Sequence, residues 1–387
     1  MSVPVLYYHS IGNHNKVVPW SFLSYPFELF EKQLNYLSKK GFKAISLYEL
    51  FKYMKDGDPI PSKSVVITFD DGFLDNWVFA FPILKKYNMK ATIYINPDFV
   101  DKRPIIRNTV QDVWQGKIKI EQLDWWGYLS WDEMKIMEES GIIDIQSHSL
   151  SHTWYFCSDE IIDFHHPGAT YYWLFWNEHP DEKPFWLKNY NDSRIEFGRP
   201  IYKHGKSLVV KKYFEDLNLR KTLVNYVKNN GNKDFFKQPN WKKLLFKEAQ
   251  KFKRNNKLSD RFETDDEYIN RIKIELGKSK QIIEANLNKK VRFLCWPGGG
   301  QNQKTFEVAY QVGYISTTKG EKPNKFGNDP SKISRLSGVP PIRFPLFQEK
   351  FDILFLFLQL KRGQDKLIGK IFGGFIRFLY YLLKAKS

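Results

Sequence analysis

Ser64-Val-Val-Ile-Thr-Phe-Asp-Asp-Gly72 is an apolar run that stops abruptly at two adjacent carboxylates and a glycine. Val65, Val66, Ile67 and Phe69 are strand formers without polar alternation, the pattern of a strand covered on both faces of a parallel sheet. That places Asp70 and Asp71 at a strand's C-terminal end, where α/β folds gather their ligand-binding loops. Neighbouring strand residues point to opposite sides, so the two carboxylates divide their work: one suits a metal ion, the other a proton. Gly72 allows a sharp turn or a close backbone approach. An Asp-Asp-Gly turn that merely caps a helix is the plainer alternative for this tripeptide alone.

Outward from this strand, helix and strand periods alternate. Val3-Pro-Val-Leu-Tyr-Tyr-His9 predicts the opening strand. Phe27 to Gly41 spaces its apolar residues as a helix face with a glycine stop, Phe42 to Ser46 is a short strand, and Leu47 to Met54 is a second helix closed by Asp56-Gly-Asp-Pro59. Trp77 to Tyr87 predicts a helix despite Pro82, and Ala91 to Ile95 a strand. Trp131 to Gly141, another helix, delivers the strand Ile142 to Gln146, which runs into Ser147-His-Ser-Leu-Ser-His152. His148 and His152 fall on one side of a helical turn, about 6 Å apart, a spacing that suits one metal ion. Ordinary core or surface histidines are the alternative. With a carboxylate from another strand end they form a His₂Asp set, which leaves a catalytic metal an open position.

Further on, Glu275 to Leu287 reads as a helix and Val291 to Trp296 as a strand. The loop Pro297-Gly-Gly-Gly-Gln-Asn302 follows, and its glycines let backbone N–H groups approach a ligand. It carries no Walker or dinucleotide pattern, since Lys304 lies outside the required spacing. A helix from Lys304 to Val312 and a strand from Tyr314 to Thr318 follow, and Ile342 to Pro345 ends the domain. The alternation argues for right-handed βαβ units and a parallel sheet.

The 387 residues suffice for one large domain or two ordinary ones, and two cysteines, Cys157 and Cys295, cannot make a disulfide framework. The N-terminus enters a strand without a signal-peptide pattern, so the expected setting is reducing and cytoplasmic. The net charge of +17 is uneven: residues 1–202 hold 21 Lys+Arg against 26 Asp+Glu, and residues 203–387 hold 39 against 17. Nucleic acid, anionic lipid or a phosphorylated substrate all suit the basic half, as does a solvated surface of lysine-rich helices. No nucleic-acid module is visible and the basic residues are dispersed, so nucleic acid is not an expected partner.

From about Cys157 to about Lys273 the βα rhythm is lost. The first part carries Tyr171, Tyr172, Trp173, Phe175, Trp176, Phe185 and Trp186 together with His165, His166, His179 and His204. These aromatics either stack on sugar rings or form the insertion's own core. The second part reads as lysine-rich helices such as Tyr213 to Val227 and Trp241 to Phe252. Beyond the barrel, Phe351 to Leu360 and Leu367 to Leu383 are apolar segments punctuated by Lys370, Arg377, Lys384 and Lys386. Neither reaches the roughly 20 apolar residues of a membrane span. They suit interfacial helices on an anionic membrane surface, or helices that pack back on the barrel.

Thr68-Phe-Asp-Asp-Gly72 and His148-Ser-Leu-Ser-His152 resemble the first two motifs of the polysaccharide deacetylases, carbohydrate esterase family four. Arg292 to Gly299, with Pro297 and Gly299 in place, resembles a weakened third motif. Val5-Leu-Tyr-Tyr-His-Ser-Ile11 is similar to the opening strand of the branch with exopolysaccharide deacetylases. The resemblance covers roughly residues 1–156 and 275–345. It implies a distorted (β/α)₇ barrel, and it says nothing of residues 157–274, which read from their own pattern as a large, mostly helical insertion, or of 346–387, which read as an amphipathic basic tail. It further implies one divalent ion, zinc with nickel or cobalt as alternatives, held by Asp71, His148 and His152. Asp70 is then the base and the Gly298 N–H an oxyanion donor, with Trp296, Pro297, Gly299 and Asn302 lining the substrate.

Two departures stand out. The arginine that braces the family's base falls at Cys295, and no histidine follows His204 to supply the family's late acid. His9, at the end of the first strand, is the leading substitute or else a residue that orients Asp70, and the insertion histidines are the other candidates. The expected activity is metal-dependent removal of an N-acyl group from an amino sugar, on a glycan or a lipid-linked saccharide. The expected location is cytoplasmic, with peripheral attachment to the inner membrane face. A non-catalytic carbohydrate-binding protein on a decayed barrel is the alternative.

Overall fold

A computed structural model describes residues 1–12, 23–341 and 347–372. The expected domain end at Ile342 to Pro345 and the tail residues Arg377, Lys384 and Lys386 lie outside them. The chain divides into two compact units, one of residues 1–150, 277–299 and 309–387, the other of residues 151–276 and 300–308.

The first unit is built on an eight-stranded parallel sheet whose continuous path has seven strands, β1 (Val5–Tyr8), β2 (Ser64–Phe69), β3 (Ala91–Ile95), β4 (Ile143–Ser147), β5 (Phe293–Leu294), β6 (Ser316–Thr317) and β7 (Leu336–Ser337), while the short strand Lys43–Ala44 pairs with β2 off that path. The seven are ordered β6-β5-β4-β3-β2-β1-β7. Leu6 pairs with Ile67 on one side and Leu336 on the other. Lys332 bridges Thr317, so residues 332–337 touch β6 at one end and β1 at the other and close the ring. This is the distorted (β/α)₇ barrel. Val65, Val66, Ile67 and Phe69 of β2 are at most 1% exposed, which explains the missing alternation. Each such side chain contributes roughly 1.5–3 kcal/mol on burial.

Helices on the outside of the barrel start and stop where local chemistry dictates. In α1 (Phe27–Lys39), Phe30, Leu34 and Leu37 form the buried stripe. α2 (Leu47–Asp56) opens on a reciprocal Ser46–Glu49 capping box and stops at Gly57, whose φ of 79° a side chain would resist. The helix around Pro82 takes an unexpected form. Asn76–Ala80 winds as a π-helix before α3 (Phe81–Lys86), because proline lacks an N–H and crowds the preceding turn. α4 (Trp131–Glu139) starts on a second capping box, Ser130–Glu133.

In the second unit, strands Trp154–Phe164 and Pro200–Lys206 make a long antiparallel hairpin that no sequence pattern marked. Its register shifts between Phe156 and Ile161, and that irregularity breaks the alternation that would have announced it. α5 (Leu217–Asn229) and α6 (Trp241–Asn255) pack Leu219, Leu223, Val227 and Leu245 against Phe164, Phe197 and Phe235. The predicted helix at Tyr213 begins later, at Asp216, whose carboxylate caps Leu219 N at 2.7 Å. Trp173, Phe175, Trp176 and Trp186 are buried, so these aromatics form the unit's own core, while Tyr171 and Tyr172 stay half-buried.

α7 (Asp265–Leu287) starts ten residues before the predicted Glu275, and α8 (Gln303–Gln311) follows the glycine loop. α9 (Gln348–Gly363) packs back on the first unit. Phe355, Leu356 and Leu360 are buried, Ser2 Oγ donates to Gly363 O at 2.6 Å, and Glu349 pairs with Lys32 of α1. Of the two readings of Phe351 to Leu360, packing against the barrel holds here, although Leu354 remains 53% exposed.

Candidate active site

The C-terminal strand ends gather the predicted residues. β2 ends at Phe69, but Asp70 stays in the ladder, its N–H donating to Tyr8 O at 3.0 Å. Asp71 then turns the chain with a φ of 72°, a left-handed conformation that Asp tolerates better than most residues. Both carboxylates are buried. They face different partners, as expected, although the left-handed turn rather than strand alternation separates them.

Asp71 Oδ1 lies 3.2 Å from His148 Nε2. The other ring nitrogen, Nδ1, is 2.9 Å from the carbonyl of Cys295. A carbonyl only accepts, so Nδ1 carries the proton and Nε2 is left as a ligand atom. The loop after β4 is not the helical turn that the spacing predicted. Ser149 and His152 both have left-handed φ, 65° and 41°, and Asn96 Nδ2 pins the loop by donating to the carbonyls of His148 and Ser149. Even so, ligand atoms of Asp71, His148 and His152 lie within 4.8 Å of one another. One carboxylate and two imidazoles fit a divalent ion of borderline softness.

Asp70 has a different environment. Arg335 grips it with both arms, Nη1 to Oδ1 at 2.7 Å and Nη2 to Oδ2 at 2.8 Å. The guanidinium also donates to Thr68 Oγ1 at 3.2 Å and to Cys295 Sγ at 3.0 Å, between the rings of Tyr7 and Tyr94. Burial alone would raise the Asp70 pKa, but the charge and hydrogen bonds of Arg335 hold it far below the usual carboxylate range. Asp70, His148 and Cys295 also come within metal-ligating distance of one another. Arg335 puts a cation on two of those three groups, which disqualifies that set for a metal.

The brace judged lost at Cys295 is therefore supplied from another strand, and this corrects the sequence analysis. Arg335 immediately precedes the two-residue strand β7, too short to show a pattern. The one available signal was a lone charge inside Ile333-Ser-Arg-Leu-Ser337.

His9 Nε2 lies 3.8 Å from Asp70 Oδ2, on the face that its strand-end position predicted. Of the four insertion histidines, His165, His166 and His204 pair a ring nitrogen with the carbonyls of Asp192, Pro167 and Tyr202, while His179 packs on the Phe175 ring at 5.0 Å. In the loop after β5, Gly298 and Gly299 have φ of 52° and 70°, and Gly299 is exposed. Trp296 is 2% exposed and Pro297 is buried, so neither offers a sugar an open face. Asn302 is committed to structure: its Oδ1 accepts from Thr305 N at 3.0 Å, and its Nδ2 donates to Tyr268 Oη at 3.0 Å.

Residues 57–171 match the family model described as polysaccharide deacetylase. The chain is 34% identical over 120 residues to the putative polysaccharide deacetylase YxkH of Bacillus subtilis, covering 31% of this chain and 41% of that protein. It is 31% identical over 122 residues to the poly-beta-1,6-N-acetyl-D-glucosamine N-deacetylase of Staphylococcus epidermidis, covering 31% and 35% respectively. The matches thus span less than half of these curated relatives. Among solved structures, a de-N-acetylase from Aggregatibacter actinomycetemcomitans aligns over 87% of this chain and 94% of its own, with a TM-score of 0.52 at 18% identity, a likeness of fold. The matched segment takes in Asp70, Asp71, His148 and His152, so the part of the chain that carries the candidate site is similar to the polysaccharide deacetylases.

Proposed function

We propose that this protein hydrolyses the N-acetyl group of an amino sugar in a glycan, using a divalent ion held by Asp71, His148 and His152. The observation that carries this is the convergence of those three ligands beside a separate, arginine-braced carboxylate at Asp70. A relative named for N-acetylglucosamine deacetylation supports the substrate class. Zinc suits the donor set, with nickel or cobalt as alternatives. When bound, such an ion supplies Lewis acidity that polarises a carbonyl and makes water more acidic.

The chain's own residues do the rest. Asp70, kept ionised by Arg335, takes the proton of the attacking water. The N–H of Gly298 donates to the oxygen that gains charge as the tetrahedral centre forms. His9 gives a proton to the departing nitrogen, which leaves poorly as an anion. Release of free amine from N-acetylglucosamine oligomers tests the activity, and failure to turn over any N-acetylated saccharide with metal loaded would refute it. In the His148→Ala/His152→Ala double variant, metal analysis should show substoichiometric zinc, whereas full occupancy would sink the ligand assignment.

The finer proposals are a lipid-linked saccharide as substrate and a cytoplasmic site on the inner membrane face. Among the described residues no helix is long and apolar enough to cross a membrane. Leu367, Ile368, Ile371 and Phe372 are nevertheless 43–72% exposed, next to the exposed cations Lys366 and Lys370. An apolar strip edged with lysine suits an anionic lipid surface. Because α9 is part of the core, the informative truncation falls after Gln364. It should release the protein from anionic liposomes and leave its fold intact, and unchanged liposome binding would move the contact elsewhere.

A further inference from the structure

Asp75 is a carboxyl that the proposed chemistry does not use, yet it is only 1% exposed. It accepts hydrogen bonds from Ser10 Oγ and from the N–H of Ile11. Its Oδ1 accepts from Asn76 Nδ2 at 2.9 Å, and that same amide donates to the carbonyl of His9, also at 2.9 Å. Ser10 is paired in turn with Ser24 Oγ at 2.6 Å. Each residue from 9 to 11 is thus tied to Asp75, directly or through one amide group. The imidazole carried by this stretch faces Asp70 at 3.8 Å.

The network is sealed from above. A Cβ placed on Gly12 would lie 2.8 Å from the ring of Trp125 and 3.2 Å from Asp75 Oδ2, so ring, glycine and carboxyl are packed with no room for a side chain. Ser10, Ile11 and Asn76 bond the carboxyl, Gly12 and Trp125 close over it, and none of these carries a charge. A carboxylate dehydrated without a counter-ion is costly. Burial raises the Asp75 pKa, and the bonds from Ser10, Ile11 and Asn76 offset this only in part, leaving it at about 7.

We propose that Asp75 is a positioning residue for His9, its carboxylate gathering Ser10, Ile11 and the Asn76 amide so that the imidazole is aimed at Asp70. This rests on His9 acting beside Asp70 in the deacetylation proposed above. An ionised carboxylate accepts from all three donors at once. A carboxamide offers one acceptor oxygen, and a protonated carboxyl likewise loses part of its accepting capacity. Asp75 therefore holds His9 more firmly above neutral pH than below it.

The test compares the Asp75→Asn variant with the native enzyme, both zinc-loaded, between pH 6 and 8 on an N-acetylglucosamine oligomer. The variant's kcat should be about tenfold lower at pH 8, the size of an outer-shell effect, and should converge on the native value towards pH 6, with KM and zinc content unchanged. Taking the ratio of the two enzymes cancels titrations they share. Ser10→Ala, which removes a bond that lowers the Asp75 pKa, should move the convergence to higher pH, and it carries the test if Asp75→Asn does not fold. A ratio that is flat across pH, or an unaffected kcat, overturns the proposal. If the native enzyme releases no amine, the deacetylase assignment falls while the positioning remains decidable. The imidazole ¹⁵N signals of His9 should then still move in Asp75→Asn at pH 8, and unmoved signals overturn it.

Discussion

Asp70→Asn should keep its metal and lose turnover by roughly 10²- to 10⁴-fold, the usual worth of a positioned proton acceptor. The metal stays because the ligand atoms come from Asp71, His148 and His152, while Asp70 turns the other way into the grip of Arg335. The carboxamide is isosteric, so the shape of the barrel wall is kept although Arg335 loses its counter-charge, but it cannot take a proton from water. KM should change little, since the lost interaction belongs to the transition state. Metal analysis and kcat measured on one preparation decide the matter. Loss of metal together with activity would show that the two aspartates have exchanged roles.

How far the sequence already disclosed this site follows from the range of its signals. β2 was legible because burial on both faces leaves an unbroken apolar run, and Asp70 and Asp71 were legible because they end it. The histidine pair does converge with Asp71, as its spacing suggested, but through a different local geometry. Four-residue spacing suggested a helical turn, whereas left-handed residues at Ser149 and His152 bring the rings together. The long hairpin at Trp154 escaped notice because its register shift disrupts the period of two on which strand recognition depends. Arg335 was beyond reach for another reason. It stands 265 residues from Asp70, and nothing in the two-residue strand that follows it announces that its side chain turns inward.

That missing arginine bears on function as well as fold. A decayed, carbohydrate-binding barrel gained its appeal from the apparent loss of two accessory groups, the brace of the base and the late histidine. The brace is present, donated by a different strand to the same carboxylate. A pure binding module has little use for a buried aspartate held ionised beside a ligand set, since burying a charge is expensive and here requires a dedicated partner. His9 at 3.8 Å from the same carboxylate offers a candidate for the second group. Together these favour the catalytic proposal over the binding one.

The pairing of Asp70 with Arg335 leads to the second large effect. Arg335→Met should destabilise the protein by about 3–5 kcal/mol, because truncating one member of a buried pair leaves the other charge uncompensated. It should also remove most turnover, since Asp70 loses both the donors that orient it and the charge that keeps it ionised. Arg335→Lys should recover only part of each loss: it restores a positive charge but not the planar fork that meets both carboxylate oxygens. The decisive comparison is the double variant Asp70→Asn/Arg335→Met. With both charges gone no unpaired ion remains, so its stability, read from denaturant midpoints at constant slope, should lie well above the sum of the two single losses. Additive losses would mean that the two side chains are not energetically coupled, and Arg335 could then no longer be regarded as the group that replaces the arginine absent at Cys295.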